Sequence, residues 1–196
     1  AAVDLYWIPV GAGDQSPWVR RGSSIYESFV AKLEGRPRLA LFHSALVVHA
    51  AGRIKARSHA EFFAANATGT RLLVEAAIAA GHRPRFVLLS SIAARQPQIS
   101  DYAASKLAGE AELTRLDDEL PWSILRPPAV YGPGDRETLA FFRALRMGVA
   151  MVPPASNARL SLLHVGDLAA AIAAVLDASS ALPGVQELDD GRGGYG

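Results

Sequence analysis

The sequence predicts an α/β protein built on a doubly wound parallel sheet. From residue 46 onward, short apolar runs typical of buried strands alternate with longer helical patterns, which is the order expected of βαβ units. Because crossovers between parallel strands are right-handed, helices should cover both faces of the sheet. Small and polar residues follow the predicted strands, at the sheet edge where such folds bind their ligands.

The strands are predicted from short apolar runs of three to six residues bounded by turn formers. They fall at residues 46–49, 86–89, 123–125, 160–165 and 185–188. Pro127 and Pro128 stop the third of these runs, because proline cannot donate a hydrogen bond to a sheet.

The helices are predicted at residues 58–80, 101–116, 137–147 and 167–176. Ser58 and Glu61 have the spacing of a capping box at the start of the first helix, and Gly81 follows its end. Ser100 is placed to cap the second helix. Residues 1–45 contain turn formers and one further helical pattern at 24–33, without a clear order of strands.

Composition excludes several classes of function. The 196 residues carry a net charge of +1, which gives no concentrated basic face for nucleic acid. Cysteine is absent, which excludes disulfides and cysteine-ligated zinc, and the five histidines lack metal-site spacing, so no metal is expected. No apolar stretch is long enough to span a bilayer, and we expect a cytoplasmic protein without membrane or nucleic-acid partners.

Ser91, Tyr102 and Lys106 form the strongest chemical constellation. Tyr102 and Lys106 are four residues apart on a predicted helix and therefore share one face, and Ser91 follows a predicted strand. An ammonium group near a phenol lowers its pKa, and a neighbouring hydroxyl can hold a substrate oxygen during proton transfer. On spacing alone, a half-buried aromatic beside a solvated lysine is the alternative interpretation.

Six sequence blocks occur in an order that resembles the extended short-chain dehydrogenase/reductase family, within its NAD-dependent epimerase/dehydratase group. They are VVHAAG (47–52), FFAANATGTRLLVEAA (62–77), FVLLSS (86–91), YAASK (102–106), LRPPAVYGPGD (125–135) and LSLLHVGDLAAAI (160–172). The resemblance covers roughly residues 46–190. It implies a Rossmann-like fold, NAD or NADP as cofactor, and hydride transfer at a secondary alcohol or carbonyl carbon of a small molecule.

The resemblance also implies roles for individual residues. Tyr102 would be the general acid/base, Lys106 would bind the nicotinamide ribose and lower the tyrosine pKa, and Ser91 would orient the substrate oxygen. The implied cofactor-binding residues are Ala50, Ala51, Gly52, Asn66, Ser90, Pro127, Ala129 and Val130. Arg53 and Arg159 are candidates for substrate binding, and a solvated loop is the alternative for the basic cluster that contains Arg53.

Two features depart from the family's usual pattern. The step from Ser91 to Tyr102 is 11 residues, which is shorter than in sugar-nucleotide epimerases and similar to reductase-like branches. The family's Gly-rich turn has one N-terminal candidate, Gly11 to Pro17, for which an ordinary turn is the alternative. Only 38 residues separate Gly11 from His49, whereas the intervening units need ~60. We therefore expect an N-terminal third that is missing, shortened or atypical.

The expected organisation is an NAD(P)-binding Rossmann-like domain over residues 1–177, poorly matched over 1–45, followed at 178–196 by the start of a C-terminal substrate portion. The choice between NAD and NADP stays open, because the residue that distinguishes the two cofactors would follow the Gly-rich turn, within the poorly matched residues 1–45. Relatives often dimerise through two helices, here 58–80 and 101–116, so the resemblance implies a homodimer. The alternative function is a non-catalytic nucleotide-binding or assembly protein of the same fold.

Overall fold

The structure is a computed structural model that describes residues 46–79, 81, 83–116, 118–133, 135, 137–148, 160–177 and 183–191. The predictions made for residues 1–45, including the Gly11 turn and the helix at 24–33, lie outside these ranges. Arg159 also lies outside them.

The strands of the described residues form two parallel sheets. In chain order they are β1 (Leu46–His49), β2 (Arg85–Leu89), β3 (Trp122–Arg126), β4 (Ala129–Tyr131), β5 (Leu162–His164) and β6 (Gly184–Glu187). The main sheet has the order β1-β2-β3-β6, and β4 pairs with β5 in the smaller one. Within the main sheet Val48 pairs with Val87, which pairs with Ser123, so the carboxyl ends of β1, β2 and β3 reach the same edge.

The helices connect these strands in the predicted order. They are α1 (His59–Phe63), α2 (Gly69–Ala79), α3 (Asp101–Thr114), α4 (Glu137–Arg146) and α5 (Val165–Asp177). A π-helical segment at Ala64–Thr68 joins α1 to α2, so the predicted helix over 58–80 is present but is not a regular α-helix. Two short 3₁₀ helices, Ile92–Arg95 and Pro97–Ile99, fill the connection between β2 and α3.

Local side chains fix the helix ends much as the sequence predicts. The Ser58 hydroxyl accepts from the Glu61 backbone N–H at 3.3 Å, and the Ser100 hydroxyl accepts from that of Ala103 at 3.1 Å. The Glu61 carboxylate departs from the capping box, because it accepts from the Arg57 N–H at 3.0 Å. Gly81 ends α2 with a φ of +78°, a conformation that favours glycine.

Apolar side chains on both faces of the main sheet form the core. On one face, the sheet packs against α2 and α3 through a cluster that includes Phe86, Leu113 and Ile124. On the other face, Val87 and Leu125 pack with Val175 of α5. Neighbouring residues of β2 thus face opposite sides, as strand geometry requires, and the sheet is covered on both sides.

Helix α3 lies unusually close to the π-helical segment at Gly109. A Cβ atom built at Gly109 would overlap the Asn66 carbonyl oxygen and would lie 3.3 Å from the Thr70 hydroxyl oxygen. Glycine is therefore required here by the close approach of two backbones, and this contact sets the position of α3 against the rest of the fold.

One strand of the fold was not predicted. The short strand β4 was missed, because its three residues follow two prolines that indicate the end of a strand. The last predicted strand is present as β6 and pairs in parallel with β3 in the main sheet. Within the described ranges, no helix is long and apolar enough to cross a membrane.

Candidate active site

A cavity of about 570 Å³ opens at the carboxyl ends of β1, β2 and β3. It brings together most of the residues that the sequence analysis selected, because each of these strands is followed at this edge by its own loop. The predicted residues that line it are Ala50, Gly52, Arg53, Ser90, Ser91, Tyr102, Lys106, Pro127, Ala129 and Val130. Ala51 and Asn66 are not among its lining residues.

Ser91 is held by hydrogen bonds that continue the β2–β3 ladder beyond the strand ends. The Ser90 N–H donates to the Leu125 carbonyl at 2.7 Å, and the Ile92 N–H donates to the Pro127 carbonyl at 2.9 Å. Ser91 between them is extended, and its hydroxyl caps the following 3₁₀ helix. The same hydroxyl hydrogen-bonds the hydroxyl of Tyr102, so the two predicted groups meet in the cavity.

Tyr102 lies in the first turn of α3 and is half-buried, with the ring of Phe62 at a centroid distance of 6.2 Å. Burial raises the pKa of Tyr102 above its ordinary value of 10.0, and the hydrogen bond from Ser91 opposes this rise only in part. Lys106 is not among the causes of this shift, and its expected effect on the phenol stays a prediction. Tyr102 is therefore a protonated phenol at neutral pH.

Lys106 is buried one helical turn after Tyr102, and its ammonium group donates to the Leu89 carbonyl at 2.8 Å. Burial lowers the pKa of Lys106 to about 8, and the negative charge of Glu110 opposes this effect. At neutral pH the group still carries its charge.

Asn66 stands behind the cavity wall and fixes the loop after β1. Its side-chain amide donates to the Arg53 carbonyl at 3.0 Å and to the Ser105 hydroxyl at 2.8 Å, and its Oδ1 accepts from the Arg53 N–H at 2.7 Å. A Cβ at Gly52 would lie 2.9 Å from Asn66 Oδ1 and 3.5 Å from Lys106 Nζ. The loop can lie this close to both groups because Gly52 has no side chain.

His49 is a buried neighbour of Lys106 that the sequence analysis did not select. Burial and the Lys106 charge lower the pKa of His49 to about 3, so its imidazole is neutral at physiological pH. Its Nε2 lies 3.1 Å from the Thr70 hydroxyl oxygen, and Thr70 donates its own proton to the Asn66 carbonyl at 2.7 Å. The imidazole nitrogen that faces Thr70 must therefore be the donor.

We expect the free energy of unfolding to fall by about 2 kcal/mol between pH 7 and pH 5 because of His49. The folded-state pKa of about 3 lies below the ordinary 6.5, so this stability is complete above pH 6.5 and is lost as the pH falls towards 3. Urea unfolding of the wild type and of His49→Gln at several pH values measures it. Gln can still donate to Thr70 but does not titrate, so the same pH dependence in both proteins would contradict the assignment.

Glu110, which is buried, and Arg126, which is partly buried, form an ion pair beside Ser90. Glu110 Oε1 accepts from Arg126 Nε at 2.9 Å and from the Ser90 hydroxyl, and its Oε2 accepts from Arg126 Nη2 at 2.6 Å. Sequence reasoning missed this pair. The signal was the continued spacing of four residues from Tyr102 through Lys106 to Glu110, which places all three on one helix face.

A second, open cavity of about 440 Å³ adjoins Arg53 and is also lined by Lys55, Arg57 and Glu61. The Glu61 carboxylate accepts from Arg53 Nη1 at 3.1 Å, and both side chains are partly exposed. The basic cluster is thus partly compensated by a carboxylate. Among the residues that the structure describes, no group of three or more His, Cys, Asp or Glu side chains could hold a metal ion.

The described part of the site fits a nicotinamide cofactor. It lies at the carboxyl edge of a parallel sheet, where doubly wound folds bind dinucleotides. A Cβ at Gly52 would lie 3.5 Å from Lys106 Nζ, and Pro127, Ala129 and Val130 add apolar lining to the cavity that Lys106 and Tyr102 also line. These are the features that a planar ring and its attached ribose require.

The model of the NAD dependent epimerase/dehydratase family matches residues 38–186 of this chain. Among curated proteins, a ceramide reductase of Caulobacter vibrioides is 43% identical over 145 residues, which make up 74% of this chain and 44% of that protein. The chain therefore spans less than half the length of this relative.

Solved structures resemble the fold. A UDP-glucuronic acid 4-epimerase from Bacillus cereus in complex with NAD has a TM-score of 0.65 at 19% identity, covering 78% of this chain and 56% of that one. A dTDP-4-dehydrorhamnose reductase from Bacillus anthracis in complex with NADP has a TM-score of 0.60 at 20% identity, covering 74% and 56%. With the parallel main sheet, these likenesses confirm the predicted Rossmann-like α/β fold.

Proposed function

This chain belongs to the NAD-dependent epimerase/dehydratase family, and from that premise we propose that it is an NAD(P)-dependent reductase of ketones. The observation that carries the proposal is the meeting of three groups in one cavity: the hydrogen-bonded hydroxyls of Ser91 and Tyr102, and the buried ammonium of Lys106. Together they can hold a carbonyl oxygen and deliver a proton to it.

The reaction assigns one role to each group. Ser91 orients the carbonyl oxygen, Tyr102 donates its hydroxyl proton to that oxygen, and the charge of Lys106 stabilises the phenolate that remains. A bound nicotinamide cofactor supplies the hydride for the carbonyl carbon.

The proposed cofactor-binding residues fall into two groups. Lys106 would bind the ribose, and the lining residues Ala50, Gly52, Ser90, Pro127, Ala129 and Val130 would contact the cofactor. Ala51 and Asn66 would act by holding the loop after β1, since Asn66 bonds both backbone groups of Arg53. NAD and NADP are both proposed, as the neighbouring complexes contain one or the other.

The state of Tyr102 supports reduction over oxidation. A phenol whose pKa burial has raised is a proton donor at neutral pH, which is what a carbonyl oxygen needs as it becomes a hydroxyl. Oxidation of an alcohol would need the phenolate form. The short connection from Ser91 to Tyr102, filled by two 3₁₀ helices, is also similar to reductase-like branches of the family.

We propose a lipid ketone of the ceramide type as substrate, because a curated relative with 43% identity is a ceramide reductase. The cavity supports an apolar substrate through Ile54, Ile92 and Pro128, and Ile54 is 62% exposed beside it. Arg53, which lines both cavities, would contact a polar group of the same substrate. Arg159 is proposed as a second substrate contact from the sequence alone.

The test is to titrate the purified chain with NADH and NADPH by nicotinamide fluorescence, and then to measure cofactor consumption. We expect binding of at least one cofactor and its consumption when a ceramide-type ketone is added. A UDP-sugar is the control substrate, because an epimerase regenerates its cofactor and consumes none. Arg53→Gln should raise KM for the ketone and leave kcat unchanged.

Four outcomes would separate the candidate functions. Consumption with the ketone supports the reductase. Binding without consumption contradicts the reductase, and binding with turnover of a UDP-sugar points to an epimerase. A folded chain that binds neither cofactor would favour the non-catalytic assembly protein.

The homodimer is also proposed, through the helices that correspond to residues 58–80 and 101–116. Exposed small residues such as Ala60, Ala64 and Ala111 on these helices would allow close packing of a second copy. Analytical ultracentrifugation that shows only monomer at micromolar concentration would contradict it. The cytoplasmic location stays a prediction from composition.

A further inference from the structure

We propose that Glu110 is a positioning residue of the site, which ties the strand end that carries Ser91 to α3 and places a carboxylate one helical turn from Lys106. The mechanistic meaning of this inference rests on the proposed function, because it concerns the groups that would move the proton. The inference itself concerns contacts of the chain and can be tested without a substrate.

Glu110 joins the ends of two strands to α3. Its side chain is only 5% exposed, and its two oxygens accept from the Ser90 hydroxyl after β2 and from Nε and Nη2 of Arg126 on β3. Ser90 is the residue directly before Ser91. A displacement of the Glu110 carboxylate would therefore be transmitted to Ser91 through a single peptide unit.

The network also reaches the segment that follows Ser91. The Arg126 guanidinium lies 3.5 Å from Glu187 on β6, and Glu187 lies 3.3 Å from Arg95 at the end of the first 3₁₀ helix. The chain from Ser90 to Arg95 is thus held at both ends by charged groups that converge on Arg126. The bidentate pair of Glu110 and Arg126 fixes both the distance between the two side chains and their relative orientation.

Stability alone does not account for a charged pair in this place. Removing a carboxylate and a guanidinium from water is costly, and well-packed apolar residues of similar volume commonly give equal or greater stability. The pair is better explained by the positions that it fixes at the strand ends and by the negative charge that Glu110 provides. This charge acts on Lys106, which lies one helical turn before Glu110.

Three other titratable groups of the described residues lie near Lys106 or line the same cavity, and one of them, Asp135, is not among the groups that shift the Lys106 pKa. Tyr102 on α3 is protonated, and His49 on β1 is neutral. From β2, Lys106 receives a backbone carbonyl, that of Leu89. Glu110 is the group that opposes the effect of burial on the Lys106 ammonium.

Lys106 can be observed directly, because the chain has only three lysines: Lys32, Lys55 and Lys106. Incorporation of ¹³C-labelled lysine and an NMR pH titration would give the Lys106 pKa, with assignment by Lys106→Arg. We expect a pKa of about 8 in the wild type and a value lower by about one pH unit in Glu110→Gln. At pH 8 this shift removes about four fifths of the charged form, so kcat should fall about fivefold.

Glu187→Gln is the matched control, because it removes a carboxylate from Arg126 and leaves Glu110 in place. Its Lys106 pKa should equal that of the wild type. If Glu110→Gln does not fold, the double variant Glu110→Gln/Arg126→Met leaves no unpaired guanidinium and should show the same lowered pKa.

An unchanged Lys106 pKa in the folded Glu110 variant would overturn the inference and leave Glu110 a purely structural role. A lowered pKa in a chain that binds neither cofactor would uphold the electrostatic part and refute the proposed function. The two failures are therefore distinguishable.

Discussion

Tyr102→Phe should lower kcat for ketone reduction by about 10²- to 10⁴-fold while NADH or NADPH still binds. The substitution removes the hydroxyl that bonds Ser91 and leaves the ring, which packs against Phe62. Ser91 cannot replace it as proton donor, because an alkyl hydroxyl is far less acidic than a phenol. Steady-state kinetics and nicotinamide fluorescence on the same samples measure the two effects separately.

Tyr131→Phe is the matched control for this experiment. Tyr131 lies on β4 outside the residues that line the cavity, and its ring packs against Phe142 and His164. The same loss of one hydroxyl there should leave kcat within about twofold of the wild type. If Tyr102→Phe retained a kcat within tenfold of the wild type, the role of Tyr102 as proton donor would be wrong.

Gly109→Ala should destabilise the fold by about 3 kcal/mol, near the upper end of the usual effect of overpacking. The new methyl group would overlap the Asn66 carbonyl, and a backbone atom cannot rotate away as a side chain can. Helix α3 would have to move outward and would carry Tyr102 and Lys106 with it. Urea unfolding gives the free energy change, and kcat should fall in the same variant.

Ala140→Val on α4 is the control, because Ala140 is exposed and lies outside the proposed dimer helices. It adds more atoms than Gly109→Ala but should change the free energy of unfolding only by ~0.6 kcal/mol, the difference in helix propensity. A Gly109→Ala protein as stable as this control would show that the two backbones can separate without loss.

The sequence was most informative where a feature depends on residues close together in the chain. The three strands β1, β2 and β3 are buried apolar runs, and the Ser58 and Ser100 caps are short-range contacts, so local patterns predicted them. The place of β6 depends on its pairing with β3, some sixty residues earlier in the chain. No local pattern records that choice of partner.

The same distinction applies to the site. The motif spacing predicted that Ser91, Tyr102 and Lys106 would share one cavity. It did not predict the bond from Lys106 to the Leu89 carbonyl or the burial that raises the Tyr102 pKa, because both depend on packing between distant parts of the chain. Glu110 was missed for a related reason, since a charged residue on a helix is ordinarily exposed and its burial depends on Arg126 from another strand.

The π-helical segment at Ala64–Thr68 has a consequence for changes in chain length. A π-turn contains about one residue more than an α-turn, and one residue corresponds to about 100° of rotation around the helix axis. The segment therefore sets the angular offset between Asn66, which bonds Arg53, and Leu73 and Val74 on α2, which face the core. Deleting one residue would make this helix regular and keep it helical. The deletion would, however, turn either Asn66 away from Arg53 or Leu73 and Val74 away from the core. Sequence alignments and redesigns of this region should therefore treat the extra residue as a fixed part of the fold.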